Sequence, residues 1–246
     1  MGTGRTTDRP LVVVGANPVL ELLRARAPLE RLVIGPGPRR SEILAECARA
    51  GVGYEEADRQ RLDRLAGGAA HQGVAAVVPP FRYEGLDAVC DAAAELTLVL
   101  DGIQDPRNLG AILRTARAAG VGGVVLPQDR SAGITAVVVS ASAGTVFGLR
   151  VARVPNLVRA MGRLREAGSW LVGLVPRAGR VLYDVELPSR IALVVGGEGG
   201  GLRSLVRRSC DFEVEIPMAP GVESLNVSVA TGVALFELRR RAGQPR

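Results

Sequence analysis

Residues 96–120 read LTLVLDGIQDPRNLGAILRTARAAG, and the fold class turns on this stretch. Leu96–Asp101 is an apolar run of strand length, and the turn-forming Asp105-Pro106 follows it. Leu109, Ile112, Leu113 and Ala116 then recur at helical spacing until Gly120. A strand that is apolar on both faces and leads into an amphipathic helix is the βα unit of a covered parallel sheet. Asn108 stands where a helix N-cap belongs. Arg114 lies roughly 140° around from Leu109, off the packed face, so it is either a solvated charge or a functional one.

Downstream the unit repeats. Strands are predicted near Gly123–Leu126 and at Arg150–Val154, Trp170–Val175, Ile191–Val195 and Phe212–Ile216. Helices are predicted at Asn108–Ala119, Pro155–Ala167, Leu202–Ser209 and from about Ser224 to Arg241. Upstream a smaller array has strands at Leu11–Val14, Leu32–Gly35, Val52–Ala57 and Gly73–Val78. Its helices start at Asn17-Pro18, with Asn17 as N-cap, and span Ser41–Ala50 and Arg59–Leu65. Pro79-Pro80-Phe81 ends this array. The reading is α/β, with a small domain at residues 1–79, a linker with one short helix at 80–95, and a mostly parallel sheet at 96–246.

Composition excludes much. All 31 basic residues are arginine, so no phosphate-loop lysine or Schiff base is available. The single histidine, His71, has no G-x-S-x-G nucleophile to partner it. Cys47, Cys90 and Cys210 are isolated and suit small buried side chains in a reducing compartment, not a metal site. No apolar run approaches the ~18 residues of a membrane span, and the first residues lack a signal peptide's apolar core. The net charge of +6 is uneven: residues 1–96 carry 12 Arg against 13 acids, and residues 97–246 carry 19 against 12. An arginine-rich half fits a polyanionic partner.

Two further segments carry chemistry. Ile191–Leu202 runs a strand into the glycine loop Gly196-Gly197-Glu198-Gly199-Gly200-Gly201, at the strand end where open α/β sheets bind ligands. The dinucleotide pattern G-x-G-x-x-G fails, because its last glycine falls on Leu202 or Ser204. Glu198 either holds a polar ligand or braces the loop. Ile216–Ser228 is a turn-rich stretch entering an apolar helix, with Ser224, Asn226 and Ser228 as short polar groups and Ser224 a candidate N-cap.

Together, Asp105-Pro106-x-Asn108-Leu109-Gly110-x-x-x-Arg114, Gly197-Glu198-Gly199-x-Gly201-Leu202 and Ser224-Leu225-Asn226-Val227-Ser228 resemble the three motifs of the SpoU (TrmH-like) group of RNA ribose 2′-O-methyltransferases, in the SPOUT superfamily. Val14-Gly15, Val19-Leu20-Glu21 and His71-Gln72-Gly73-Val74 resemble that family's substrate-binding domain, which has a ribosomal-protein-like α/β fold. The resemblance is greatest to the branch that modifies a 23S rRNA guanosine. It implies a deep trefoil knot, an exception to the rule against threaded chains, and a cytoplasmic homodimer. It also implies S-adenosylmethionine held by Gly196, Ile216 and Leu225, and catalytic roles for Arg114, Asn108, Glu198, Ser224 and Asn226. RNA is the implied partner, with neither DNA nor a membrane. Alternatives are a tRNA or antibiotic-site rRNA target, or a non-catalytic RNA-binding assembly factor. The chain departs from the family pattern at Val139 and Phe147, where a basic residue and a glutamate are usual, and at Gly200, where an acid is common.

Overall fold

The computed structural model describes residues 10–91 and 95–242, so the first residues lie outside it. Its described residues form two compact units: 10–82 with 134–147, and 83–91 with 95–133 and 148–242.

In the first unit β1 (Leu11–Val14), β2 (Arg31–Ile34), β3 (Glu55–Glu56) and β4 (Val74–Val78) form a sheet in the order β1-β4-β2-β3. β4 is antiparallel to β1 and β2, while β3 runs parallel to β2. Val33, Leu62 and Ala75 form a core cluster with Val12, Val14, Ala57 and Leu65 packed on it. Helices α1 (Ala16–Arg24), α2 (Arg40–Ala50) and α3 (Arg59–Ala66) belong to the same unit. The predicted strand Val52–Ala57 shrinks to two residues, both exposed glutamates.

Asn17 is not the N-cap of α1. Gly15 takes that place at φ 99°, a left-handed angle that a side chain would strain. The Ala16 N–H donates to Gln72 Oε1 at 3.0 Å. Gln72, itself at φ 50°, is set by its neighbours. The Gly73 N–H donates to His71 Nδ1 at 3.0 Å, which puts the imidazole proton on Nε2, 3.0 Å from Asp63. The one histidine is thus a turn brace.

The second unit contains α4 (Leu86–Cys90), β5 (Leu96–Asp101), α5 (Pro106–Ala119) and β6 (Gly123–Pro127). The next helix, α6 (Ala136–Ala141), falls in the first unit. The second unit then resumes with β7 (Arg150–Val154), α7 (Leu157–Glu166), β8 (Trp170–Leu174), β9 (Ile191–Gly196), α8 (Ser204–Arg208), β10 (Phe212–Val214) and α9 (Val227–Ala242). The six strands lie in the order β10-β8-β9-β5-β6-β7, and every pairing is parallel. β5 and β9 are buried at every residue, as their apolar sequences require. Val99, Val194, Met161, Leu164 and Val206 form a core under α7 and α8, while α5 packs against α9. β5 and β9 are neighbours whose chains leave for different helices, α5 and α8. That divergence opens a crevice at their carboxyl ends.

The segment 134–147 was not legible as structure in the sequence. Here it forms α6, which packs on β1 and α1, and a 3-10 turn over Thr145–Gly148. Val138, Val139 and Val146 are fully buried, and Phe147 packs 6.0 Å from Phe81. Val139 and Phe147, two of the three departures from the family pattern, are therefore apolar packing positions of this unit.

Candidate active site

The crevice is built from three loop-to-helix junctions. In the first, β5 ends at Asp101 and the chain turns through Gly102–Gln104 into α5. Asp105 is the N-cap, its carboxylate accepting the Arg107 N–H at 2.8 Å, and Pro106 fills the first helical position. Asn108 is therefore not a cap, contrary to expectation. Its amide is released for contacts elsewhere.

In the second junction, β9 ends at Gly196 and the glycine loop doubles back on itself. Gly197 and Gly201 form an antiparallel bridge. A Cβ on Gly196 would stand 2.1 Å from the Gly201 carbonyl carbon, and one on Gly197 would stand 2.3 Å from the Gly102 oxygen. Only glycine permits this closeness. Gly199 and Gly200, in contrast, face open space.

In the third junction, α9 starts at Val227. Asn226, not Ser224, caps it: Asn226 Oδ1 accepts both the Ser228 N–H at 2.9 Å and the Ser228 hydroxyl at 2.6 Å. With the carbonyl side so occupied, the Asn226 NH2 must point the other way.

The junctions meet in one side-chain cluster. Asn108 Nδ2 donates to Glu198 Oε1 at 2.6 Å. Asn226 Nδ2 donates to the same oxygen at 3.1 Å and to Asn108 Oδ1 at 3.2 Å. Residues 90 and 118 positions apart thus share one hydrogen-bonded triad. A cleft of about 340 Å³ lies against it, lined by Gly102, Ile103, Gln104, Asp105, Asn108, Glu198 and Val227. That volume is within the roughly 300–1,000 Å³ of small-ligand clefts.

Of the residues singled out in the sequence, Asn108, Glu198 and Asn226 come together. Ser224 is exposed, Gly196 is buried at the loop base, and Ile216 and Leu225 lie in the 215–226 connection. None of these four lines the cleft, and neither does Arg114. Arg114 is exposed on α5, about 120° around from Asn108 and within about 20° of Arg107. Sequence reading missed Asp101 and Arg203. The Asp101 side chain has 0% exposure, and its carboxylate meets Arg203 Nη2 at 2.6 Å. Its one signal was an acid closing an otherwise apolar strand. The cysteines play no part here, since burial raises all three thiols, Cys210 to about 12.

An all-parallel sheet with a polar-braced cleft beside a glycine loop at its switch point defines a ligand-binding α/β domain, here with a second α/β unit ahead of it in sequence. Residues 95–236 match the family model of the SpoU rRNA methylase family. Residues 12–84 match the model for RNA 2′-O ribose methyltransferase substrate binding. An uncharacterised tRNA/rRNA methyltransferase of Mycobacterium tuberculosis is 43% identical over 98% of this chain and 78% of its own. An rRNA methyltransferase from Sinorhizobium meliloti, solved with AdoMet bound, superposes with TM-score 0.72 at 28% identity, over 95% of this chain and 88% of that one. The SpoU methyltransferase AviRb from Streptomyces viridochromogenes, in complex with AdoMet, gives 0.72 at 25% identity, over 94% and 90%. This chain belongs to the SpoU family of RNA methyltransferases.

Proposed function

We propose that this enzyme methylates a ribose 2′-hydroxyl in RNA, with a guanosine of 23S rRNA as its target. The observation that carries the reading is the Asn108–Glu198–Asn226 triad at the switch-point cleft. Its cofactor is S-adenosylmethionine, which supplies an electrophilic methyl group on a sulfonium. The chain fits such a ligand: Gly197 seats its backbone against Gly102 of the cleft wall, and Gly199 and Gly200 face open space. Gly196, Ile216 and Leu225 would hold it, largely through backbone groups.

A ribose hydroxyl is a poor nucleophile, so the protein must position it and stabilise the charge it develops. We assign this to Arg114. A guanidinium holds its proton at neutral pH, so Arg114 orients the ribose and the adjacent phosphate and stabilises the forming alkoxide. Asn108 and Glu198 fix the loop and the substrate, while Ser224 and Asn226 shape the cofactor loop.

We also propose a homodimer in which Arg114, exposed on α5, serves the partner's site. The face of α9 agrees with this. Val229 and Phe236 are 50% and 51% exposed, with Val233 between them at helical spacing and Leu225 and Val222 exposed in the preceding connection. We also infer the trefoil knot. Arg241 at the end of α9 donates to the Leu182 and Val185 carbonyls, and the Leu182 N–H donates to the Glu215 carbonyl. The β8–β9 connection is thereby tied to both segments that follow β10.

RNA binding is assigned to residues 1–79, joined through 80–95 to the methyltransferase part at 96–246. Arg24, Arg39, Arg40, Arg49 and Arg61 of that first part each pair with a glutamate, which favours a specific, shallow RNA contact over bulk attraction. The enzyme is placed in the cytoplasm with its RNA. No helix among the described residues is long and apolar enough to cross a membrane. Mapping 2′-O-methyl marks in rRNA and tRNA with and without the gene tests the target. A single 23S guanosine should lose its mark, and loss confined to tRNA would overturn the rRNA assignment.

A further inference from the structure

We infer that Asp101 and Arg203 are a positioning pair that locks the glycine loop into its ligand-binding shape. The inference rests on reading the cleft as the S-adenosylmethionine site. Asp101 grips both ends of the loop. Its main-chain carbonyl accepts the Gly197 N–H at 2.9 Å. Its carboxylate accepts the Arg203 N–H at 2.8 Å on one oxygen, and Arg203 Nε and Nη2, each at 2.6 Å, on the other. The loop between these anchors carries Glu198, and the residue after Asp101 is the wall against which Gly197 sits.

The asymmetry of burial assigns the roles. Asp101 is fully enclosed, so its charge requires a partner. Arg203 is half exposed at 49%, so it is a clasp laid over the carboxylate from outside. A guanidinium suits this, because its planar fork presents Nε and Nη2 together, which an ammonium cannot do. Without the clasp the loop retains the backbone contacts of Gly197 and Gly201 but loses the restraint on its exit, and with it the fixed position of Glu198. The competent loop conformer then becomes a fraction of the population. Apparent cofactor affinity falls by that fraction, while saturating cofactor refills the competent state. The signature is a raised KM and Kd for the cofactor with kcat largely kept.

The test uses the full chain. Arg203→Gln should weaken S-adenosylmethionine binding in calorimetry by roughly tenfold, with kcat within about twofold of the parent. In the protein without ligand, amide exchange across residues 197–203 should accelerate by a similar factor, a readout independent of catalysis. Arg203→Lys should recover part of both. Asp101→Asn should reproduce the Arg203→Gln phenotype, and the double variant should be no worse than either single one. Arg203 acting by direct contact with cofactor or RNA would instead lower affinity in Arg203→Gln with amide exchange across residues 197–203 unchanged, and that result overturns the lock. Unchanged affinity with unchanged exchange in Arg203→Gln overturns it as well. A parent chain that fails to bind S-adenosylmethionine is a different failure, since it removes the reading of the cleft and the inference with it.

Discussion

Gly197→Ala puts the cleft to a test whose size can be worked from the structure. The new methyl would stand 2.3 Å from the Gly102 oxygen, about 1 Å short of ordinary contact at 3.4 Å. Both neighbours are backbone, so no side chain can rotate away, and the loop must retreat by about that distance. Glu198 is the next residue, and its bond to Asn108 is 2.6 Å long. A shift of about 1 Å stretches it beyond hydrogen-bond reach. Overpacking of this kind costs about 1–3 kcal/mol of stability, and a misplacement of about 1 Å costs on the order of 10²-fold in rate. The assay is transfer of tritiated methyl from S-adenosylmethionine to RNA, run beside thermal unfolding. A folded Gly197→Ala protein should retain about 1% of activity. Retention of more than half, with the fold intact, would refute the claim that this backbone contact sets the triad.

Three further outcomes are expected. Phe236→Glu places a charge on the apolar face of α9, and should shift the protein to monomer in sedimentation and abolish methyl transfer while S-adenosylmethionine binding by the monomer persists. Val139→Lys restores a basic residue where the family usually has one, but here it buries a charge among apolar side chains. It should cost at least about 3 kcal/mol, read as a fall in Tm of about 10 °C. Glu237 is held at about 2, chiefly by its hydrogen bond from Arg240, with burial opposing and Arg241 adding to the lowering. Its contribution to stability is complete above the usual carboxylate range and is lost as pH falls from about 4.3 towards 2. Glu237→Gln should therefore lower Tm at pH 7, and the deficit should close on acidification.

The β5–α5 unit was legible because β5 is covered on both faces and α5 has one packed stripe, which leaves a continuous apolar run followed by a helical repeat. α6 was not legible for a related reason. Val138 and Val139 are buried in a helix that packs on α1 and β1, which are remote in sequence, and the exposed Val137 is apolar too, so no polar face marks a period. Caps were the weakest readings. Asn17, Asn108 and Ser224 all have the right chemistry, but Gly15, Asp105 and Asn226 stand at the helix starts. An Asp-Pro pair claims the first turn of α5, and a left-handed glycine that of α1. At the site, spacing alone left Asn108 a cap and Glu198 either a ligand contact or a loop brace, and the resemblance to a family brought them together with Asn226. The Asp101–Arg203 pair spans 102 residues, so the acid at the end of β5 was visible in the sequence while its partner was revealed only by folding.

The central claim is that the cleft delivers a methyl group to a ribose oxygen. It is tested most directly by labelling RNA with tritiated S-adenosylmethionine and digesting the product with alkali. A 2′-O-methyl blocks backbone cleavage, so the label should emerge in alkali-resistant dinucleotides, and Arg114→Ala should eliminate it without loss of cofactor binding. Label released in mononucleotides, or full labelling by Arg114→Ala, would contradict the account.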